Sequence, residues 1–153
     1  MTSRVFALLS MATLAVGACS DSTSPPPEIP VEQQVWASSL GIDLTAMTKL
    51  PSGVYYKDAV VGTGATATSS STVKVFYTDY LANGTKFDSN VGGTVASFPL
   101  SDLIEGWKVG IPGMKVGGTR RLVIPSALGY GPGGSGPIPP NANLVFDIQL
   151  TGL

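Results

Sequence analysis

Short β-like runs separated by turn residues occupy the chain from Leu50 onward and limit what it can fold into. Four runs carry β-branched and aromatic residues between Gly, Pro and Ser breaks: 53–62, 72–81, 119–125 and 143–153. The last run alternates, with Leu144, Phe146, Ile148 and Leu150 on one face. Glycine (19) and proline (12) make up about a fifth of the 153 residues, against about an eighth in average proteins. This abundance of turn residues predicts a β-rich fold.

One segment of this half, residues 101–110, has the pattern of a helix. It opens on the capping pair Ser101-Asp102 and stops at Gly110. Its apolar residues share one face: Leu103, Ile104 and Trp107. A helix this short is marginal alone, so we expect that face to be buried. The sequence therefore predicts an α+β fold, with one antiparallel sheet folded over one short helix.

The stretch "VFYTDYLANGTKFDSN", residues 75–90, predicts a β-hairpin that carries a carboxylate beside aromatic residues. Its Asn83-Gly84 pair is typical of a two-residue type I′ turn, in which both central residues need φ > 0. Two tyrosines precede the turn, and the pair Phe87-Asp88 follows it.

Composition excludes several kinds of chemistry. The chain contains no histidine, which removes imidazole bases and most zinc sites. Its net charge of −1 gives no electrostatic footprint for nucleic acid. The glycine-rich segment 131–136 leads into "PIPP" rather than a helix, so it predicts a surface loop and no phosphate site. We expect neither a cofactor nor a metal.

The N-terminus has the pattern of an export signal. Residues 1–18 carry one early arginine and an apolar run of signal-peptide length, and they end in "VGA" before Cys19. This junction resembles a bacterial lipobox, in which the cysteine is lipidated and becomes the first mature residue. The alternative is an ordinary secretory signal with an incidental cysteine. We expect an exported protein, lipid-anchored to a bacterial membrane, with its domain in the periplasm or outside the cell.

Two further segments precede the domain. Residues 19–31 have the Pro- and Ser-rich composition of an extended tether. Residues 32–49 form an N-terminal arm, in which four apolar residues follow a helix-like spacing: Trp36, Leu40, Leu44 and Met47. An irregular linker accounts for the arm equally well, because Gly41 weakens a helix.

Three stretches together resemble the FKBP-type peptidyl-prolyl cis-trans isomerases: "FYTDYLANGTKFDSN", "FPLSDLIEGWKVGIPGMKVGGTRRLVIP" and "GYGPGGSGPIPPNANLVFDIQL". The resemblance covers residues 50–153. It implies a sheet half-wrapped around the short helix, with an apolar pocket between them. The pocket residues that it implies are Tyr77, Phe87, Asp88, Phe98, Leu103, Ile104, Trp107, Tyr130, Ile138 and Phe146. Two positions depart from the family pattern: Ala96 replaces a phenylalanine, and Asp79 replaces a glycine.

The resemblance implies a mechanism without proton transfer. Rotation about an X-Pro bond has to overcome about 18–20 kcal/mol of amide resonance, and a site that binds the twisted amide best suffices. The family pattern gives hydrogen-bond donation to the Tyr130 hydroxyl and the Ile104 N–H. We expect Asp88 to be buried at the rim, held by Tyr77, and to be the only carboxylate of the site. Activity should then be nearly flat from about pH 6 to 9 and indifferent to chelators.

Two functions fit this sequence. The first is a prolyl isomerase that assists folding at the cell envelope. The second is a weakly active binding module or holdase for proline-containing polypeptides, which Ala96 favours because it thins a pocket wall. Some members of the family carry a long dimerising helix. Nothing resembling it fits before residue 50, so we expect a monomer.

Overall fold

The computed structural model describes residues 24–153; the predicted signal peptide and Cys19 lie outside them. The described residues form one antiparallel sheet. Its seven strands are β1 (Thr48–Lys49), β2 (Tyr55–Val60), β3 (Thr72–Leu81), β4 (Lys86–Ser89), β5 (Ala96–Pro99), β6 (Thr119–Ile124) and β7 (Leu144–Gly152). Among these residues no helix has the length and hydropathy needed to cross a membrane.

The sheet places the last strand at its centre. The strand order is β1-β2-β6-β7-β3-β4, and β5 pairs with the first half of β3. All pairings are antiparallel, and β3 pairs with β7 from Lys74 to Leu81. One short helix, α1 (Glu105–Gly110), packs against the sheet. The predicted α+β architecture is confirmed.

Helix α1 begins later than predicted. Ser101 and Asp102 lie in a separate 3-10 turn, where the Ser101 hydroxyl donates to the Asp102 carboxylate at 2.8 Å. The residue before α1 is Ile104, and it makes no side-chain cap. The predicted end at Gly110 is correct. Gly106 lets α1 approach the sheet closely, since a Cβ there would lie 2.4 Å from a side-chain carbon of Ile124.

We call the side of the sheet that packs on α1 the helix face. Strand alternation brings the predicted apolar row of β7 to this face, at 0–2% exposure. The core on this face draws residues from strands β3, β6 and β7 and from α1: Val73, Val75, Trp107, Leu122, Ile124, Leu144, Phe146, Ile148 and Leu150. The helix face therefore holds the main hydrophobic core.

We call the opposite side the arm face, because residues 31–47 cover it. Val31, the last residue of the predicted tether, and Leu40 of the arm are buried against three strand residues: Tyr55, Val123 and Val145. Its four predicted apolar residues all join this cluster, but through three 3-10 turns rather than an α-helix. The arm therefore packs on the domain, as one of the two alternatives predicted. It does so without forming the α-helix that its spacing suggested.

The end of the predicted tether is also docked on the domain. Asn143 Nδ2 donates to the Ile29 carbonyl at 2.7 Å, and Asn141 Nδ2 donates to the Pro26 carbonyl. Residues 26–31 therefore lie against the domain and do not extend away from it.

The predicted hairpin between β3 and β4 is present, but its predicted turn type is wrong. Only Gly84 has positive φ in this turn (φ 84°), and its N–H donates to the Leu81 carbonyl at 2.9 Å. This is a type I turn followed by a left-handed glycine, which adds one residue to the loop. Asn83 instead accepts the Thr85 N–H on its side-chain oxygen at 2.9 Å.

Candidate active site

A cavity of about 160 Å³ opens on the helix face. We call it the prolyl pocket, after the ligand that the resemblance in the sequence implies; its lining consists of Tyr77, Asp79, Asp88, Phe98, Leu103, Ile104, Trp107, Tyr130 and Phe146. Eight of these nine residues belong to the set implied by the sequence, and Asp79 is the addition. The volume suits a group the size of one side chain, since pockets for drug-sized ligands run from about 300 Å³ upward.

Aromatic rings in edge-on contact form the floor and one wall of the pocket. The Trp107 ring lies 5.9 Å from the Tyr77 ring and 5.7 Å from the Phe146 ring, both nearly perpendicular. Tyr77 also contacts Phe98, with ring centroids 6.4 Å apart. Such tilted and T-shaped pairs are the preferred aromatic geometries. The floor is therefore apolar and closely packed.

The structure separates two predicted pocket residues from the cavity. Phe87 packs its ring edge-on against Phe146, with centroids 6.3 Å apart, so it supports the wall from behind. Ile138 is buried in the main core at 6% exposure. Neither side chain lines the prolyl pocket.

Asp88 contacts Tyr77 as predicted, but it is exposed rather than buried. The Tyr77 hydroxyl donates to Asp88 Oδ2 at 3.1 Å, and the Ser89 N–H donates to Oδ1 at 2.7 Å. Burial, followed by the bond to the carboxylate, raises the pKa of Tyr77 to about 12. Asp88 therefore fixes the tyrosine from the pocket rim without itself being desolvated.

Asn90 anchors the strand that carries Tyr77, a role that the sequence did not reveal. Its side-chain oxygen accepts the Tyr77 N–H at 2.7 Å, and its amide donates to the Val75 carbonyl at 3.0 Å. A second donation goes to the Thr94 carbonyl at 3.1 Å. The signal was an asparagine directly after Phe-Asp-Ser, where a strand ends and its backbone groups need partners.

The two predicted donors come from separate elements of the pocket lining. Ile104 precedes α1, where the first backbone N–H groups of a helix have no intrahelical partner. Tyr130 is 39% exposed and begins the loop that ends at β7. Gly134 keeps this loop tight: its φ is 61°, and a Cβ would lie 2.3 Å from the Ile138 carbonyl oxygen.

The pocket contains a second carboxyl group, which contradicts the expectation that Asp88 stands alone. Asp79 is 5% exposed, and its Oδ1 atom has no hydrogen-bond partner. Burial, and then the charges of Asp88 and Asp147, raise the pKa of Asp79 to about 8. Residues 77 and 79 of a strand lie on the same face of the sheet, so the position of Asp79 beside Tyr77 could have been predicted from the sequence.

A second cavity lies on the other side of the sheet, and its lining is different. This larger cavity of about 470 Å³ lies on the arm face, lined in part by Lys57, Arg121 and Asp147. Arg121 and Asp147 already form a two-bond ion pair at 2.6 and 2.7 Å. Within residues 24–153 no three His, Cys, Asp or Glu side chains are grouped to hold a metal ion.

A family model described as "FKBP-type peptidyl-prolyl cis-trans isomerase" matches residues 64–151. The chain belongs to this family.

Relatives of this FKBP-type chain occur in eukaryotes and bacteria. It is 46% identical over 109 residues to "FK506-binding protein 4" of Dictyostelium discoideum, covering 69% of this chain and 30% of the relative. It is 48% identical over 100 residues to "FKBP-type peptidyl-prolyl cis-trans isomerase FkpA" of Aeromonas hydrophila, covering 65% and 37%. The chain thus spans about a third of the length of these relatives.

Solved structures share the FKBP-type fold. FkpA from Escherichia coli superposes with a TM-score of 0.68 at 35% identity, covering 75% of this chain and 54% of that one. A peptidyl-prolyl cis-trans isomerase from Pseudomonas syringae pv. tomato gives a TM-score of 0.66 at 33% identity, covering 70% and 80%. The predicted family and fold are both confirmed.

Proposed function

We propose that this FKBP-type chain is a peptidyl-prolyl cis-trans isomerase that assists protein folding, acting on proline-containing polypeptides. The observation that carries the proposal is the prolyl pocket itself, with Trp107 as its floor at 5% exposure and Tyr77, Phe98 and Phe146 around it. The rings bury an apolar five-membered ring well, and their fixed contacts fix its orientation.

The pocket lowers the rotation barrier by binding the twisted amide better than the planar one. Twisting removes the charge separation between the amide nitrogen and oxygen, so an apolar, water-poor cavity favours the twisted state relative to water. Each ~1.4 kcal/mol of this preference gives a tenfold rate increase. No bond breaks and no proton moves in this step.

Hydrogen bonds hold the peptide on either side of the rotating bond. Its carbonyl groups need donors once they leave water, and we assign this role to the Tyr130 hydroxyl and the Ile104 N–H. Asp88 orients Tyr77 through the bond at 3.1 Å and places a negative charge at the rim. In this scheme Leu103 and Phe98 contact the residue that precedes proline.

The test is the exchange rate of an end-blocked peptide with one Leu-Pro bond, measured by two-dimensional exchange NMR. We expect substoichiometric protein to accelerate cis-trans exchange well beyond the uncatalysed tens to hundreds of seconds. Acceleration that is lost in Trp107→Ala supports the isomerase. Binding of the peptide without acceleration would instead establish the second candidate, a holdase, which Ala96 favours by leaving one wall without a ring.

We further propose that the protein is exported and held at a bacterial membrane through lipid on Cys19, with a monomeric domain. Support comes from the "VGAC" junction and from the Pro- and Ser-rich residues behind it. One acyl chain binds membranes marginally, whereas several hold firmly. Cys19→Ser should move the protein from the membrane to the soluble fraction, with Ser24→Ala as the control. Unchanged membrane residence of Cys19→Ser would exclude the lipid anchor.

A further inference from the structure

Asp79 is a buried carboxyl group that the isomerisation scheme above leaves without a role. It lies on β3 between Tyr77 and Leu81, on the helix face, and contributes to the lining of the prolyl pocket. It is 95% buried, and Oδ1 has no hydrogen-bond partner. A buried polar group without a partner is costly, so a bound ligand that pairs with this carboxyl group gains affinity.

The groups that face Asp79 from neighbouring elements are anions and phenols. Asp88 approaches from β4, Tyr77 from β3 itself and Tyr130 from the loop before β7, while the charge of Asp147 on β7 acts through the sheet from the arm face. On the arm face, Asp147 is paired with Arg121 of β6 through two hydrogen bonds. Burial and the two carboxylates raise the pKa of Asp79 to about 8, so it carries a proton at neutral pH.

The chemistry of an X-Pro segment calls for such a proton. The proline nitrogen has no hydrogen, so the segment presents two carbonyl oxygens with no N–H between them. A ligand of this kind offers acceptors and needs donors from the pocket. A neutral carboxyl group supplies one donor, whereas a carboxylate supplies none.

We propose that Asp79 is a substrate-contacting residue of the prolyl pocket, whose neutral carboxyl group donates a hydrogen bond to a carbonyl oxygen beside the bound proline. This inference rests on the proposed function. When Asp79 ionises, the donor is lost and a carboxylate faces the carbonyl oxygens, so peptide affinity falls. Activity is therefore not flat from pH 6 to 9, as expected from Asp88 alone, but declines through pH 8.

The experiment follows kcat/KM of the full chain from pH 5.5 to 9.5, with the end-blocked Leu-Pro peptide and exchange NMR. The peptide has no titrating group, and no coupling protease is needed. We expect a fall of about tenfold per pH unit above a midpoint near pH 8, carried by KM rather than kcat. The tyrosines of the pocket do not account for this limb, because their pKa values are raised above 10.

Two variants and a control separate the role of Asp79 from a structural one. Asp79→Asn keeps a donor at every pH, so its profile should be flat. Asp79→Leu removes the donor and should lower kcat/KM about threefold to tenfold at pH 6.5, the size of one neutral hydrogen bond. Asp43→Asn, an exposed carboxyl group on the arm, should retain the wild-type limb.

The outcomes are distinguishable from those of the proposed function. A flat wild-type profile, or a limb that persists in Asp79→Asn, would overturn the role of Asp79. If the wild-type chain binds the peptide without isomerising it, the proposed activity fails. The Kd of the peptide then tests Asp79 instead: weakening through pH 8 in the wild type but not in Asp79→Asn supports the inference, and an unchanged Kd overturns it.

Discussion

The two faces of the sheet use the same strands for different purposes. On the helix face, strand side chains form a core that leaves a cavity, and the buried polar atoms Asp79 Oδ1 and Trp107 Nε1 have no partners. On the arm face, Arg121 pairs with Asp147 and donates to the Leu40 carbonyl, while Tyr55 donates to Glu32 at 2.7 Å. On the arm face these charged groups are therefore paired within the chain, and Trp36 Nε1 is the counterpart of Trp107 Nε1, buried there without a partner among the described residues.

The two faces also differ in the cavities that they carry. The larger cavity, of about 470 Å³, lies on the arm face, yet no aromatic ring of residues 24–153 lines it and its Arg121 and Asp147 side chains are already paired with each other. The smaller one, of about 160 Å³, combines aromatic walls with an unpaired buried carboxyl group. An apolar, aromatic lining with a few convergent polar groups is the usual form of a ligand site.

The largest expected effect comes from truncating one tryptophan on each face. Trp107→Ala removes the pocket floor and should lower kcat/KM about a hundredfold, equivalent to ~2.7 kcal/mol. It also destabilises the fold, by about 3–5 kcal/mol for a buried aromatic. Trp36→Ala on the arm should destabilise while leaving kcat/KM within about twofold. Peptide exchange rates and urea midpoints measured on both variants check this, and equal losses of activity would erase the distinction between the faces.

The second prediction concerns stability against pH. The folded-state pKa of Asp79 is raised from 3.8 to about 8, so the folded protein keeps a proton that the unfolded chain releases. Its contribution to stability is complete below about pH 4 and is lost as pH rises through 8. The loss between pH 5 and 9 amounts to about 4 kcal/mol. Asp79→Asn should abolish it, as urea unfolding at both pH values can show. A wild-type slope that survives in Asp79→Asn would contradict the assigned pKa.

A smaller effect is expected at the wall of the pocket. Phe98→Ala opens one side of the cavity and removes the ring that Tyr77 packs against. We therefore expect kcat/KM to fall about tenfold. Phe76→Ala, on the opposite side of β3, should affect mainly stability. Circular dichroism establishes that each variant is folded before its kinetics are compared. Full activity in folded Phe98→Ala would move the substrate away from this wall.

The smallest effect is expected at the rim. Asp88→Asn still accepts a hydrogen bond from Tyr77, so orientation survives and kcat/KM should fall only about threefold. Chelation with EDTA should change nothing, since no step of the scheme uses a metal. Complete inactivity of folded Asp88→Asn, or loss of activity with EDTA, would show that the rim does more than orient the tyrosine.

The sequence predicted the sheet well because strand signals are local. The period-2 row of β7 and the turn residues around it placed Leu144 to Leu150 correctly. The start of α1 was misjudged because Ser101 bonds to its neighbour Asp102 in a separate turn. The hairpin turn was misjudged because Asn83-Gly84 also suits a type I turn with a left-handed glycine.

The site was only partly predictable, because burial depends on distant segments. Motifs gave eight of the nine residues that line the prolyl pocket. Asp88 was expected to be buried, but β4 is the edge of the sheet, so its side chain stays open to water. Asp79 lies on β3, which pairs with β4 on one side and β7 on the other. Its burial therefore depends on strand pairings that the local sequence motif does not specify.

The most direct test of the central claim uses the two tryptophans of the chain, one on each face. Their indole N–H signals can be followed by NMR as the end-blocked Leu-Pro peptide is added, with Trp36→Phe to assign them. If the prolyl pocket binds the peptide, the Trp107 signal shifts in a saturable manner and the Trp36 signal stays in place. A shift of Trp36 with Trp107 unmoved would place binding on the arm face and contradict the account.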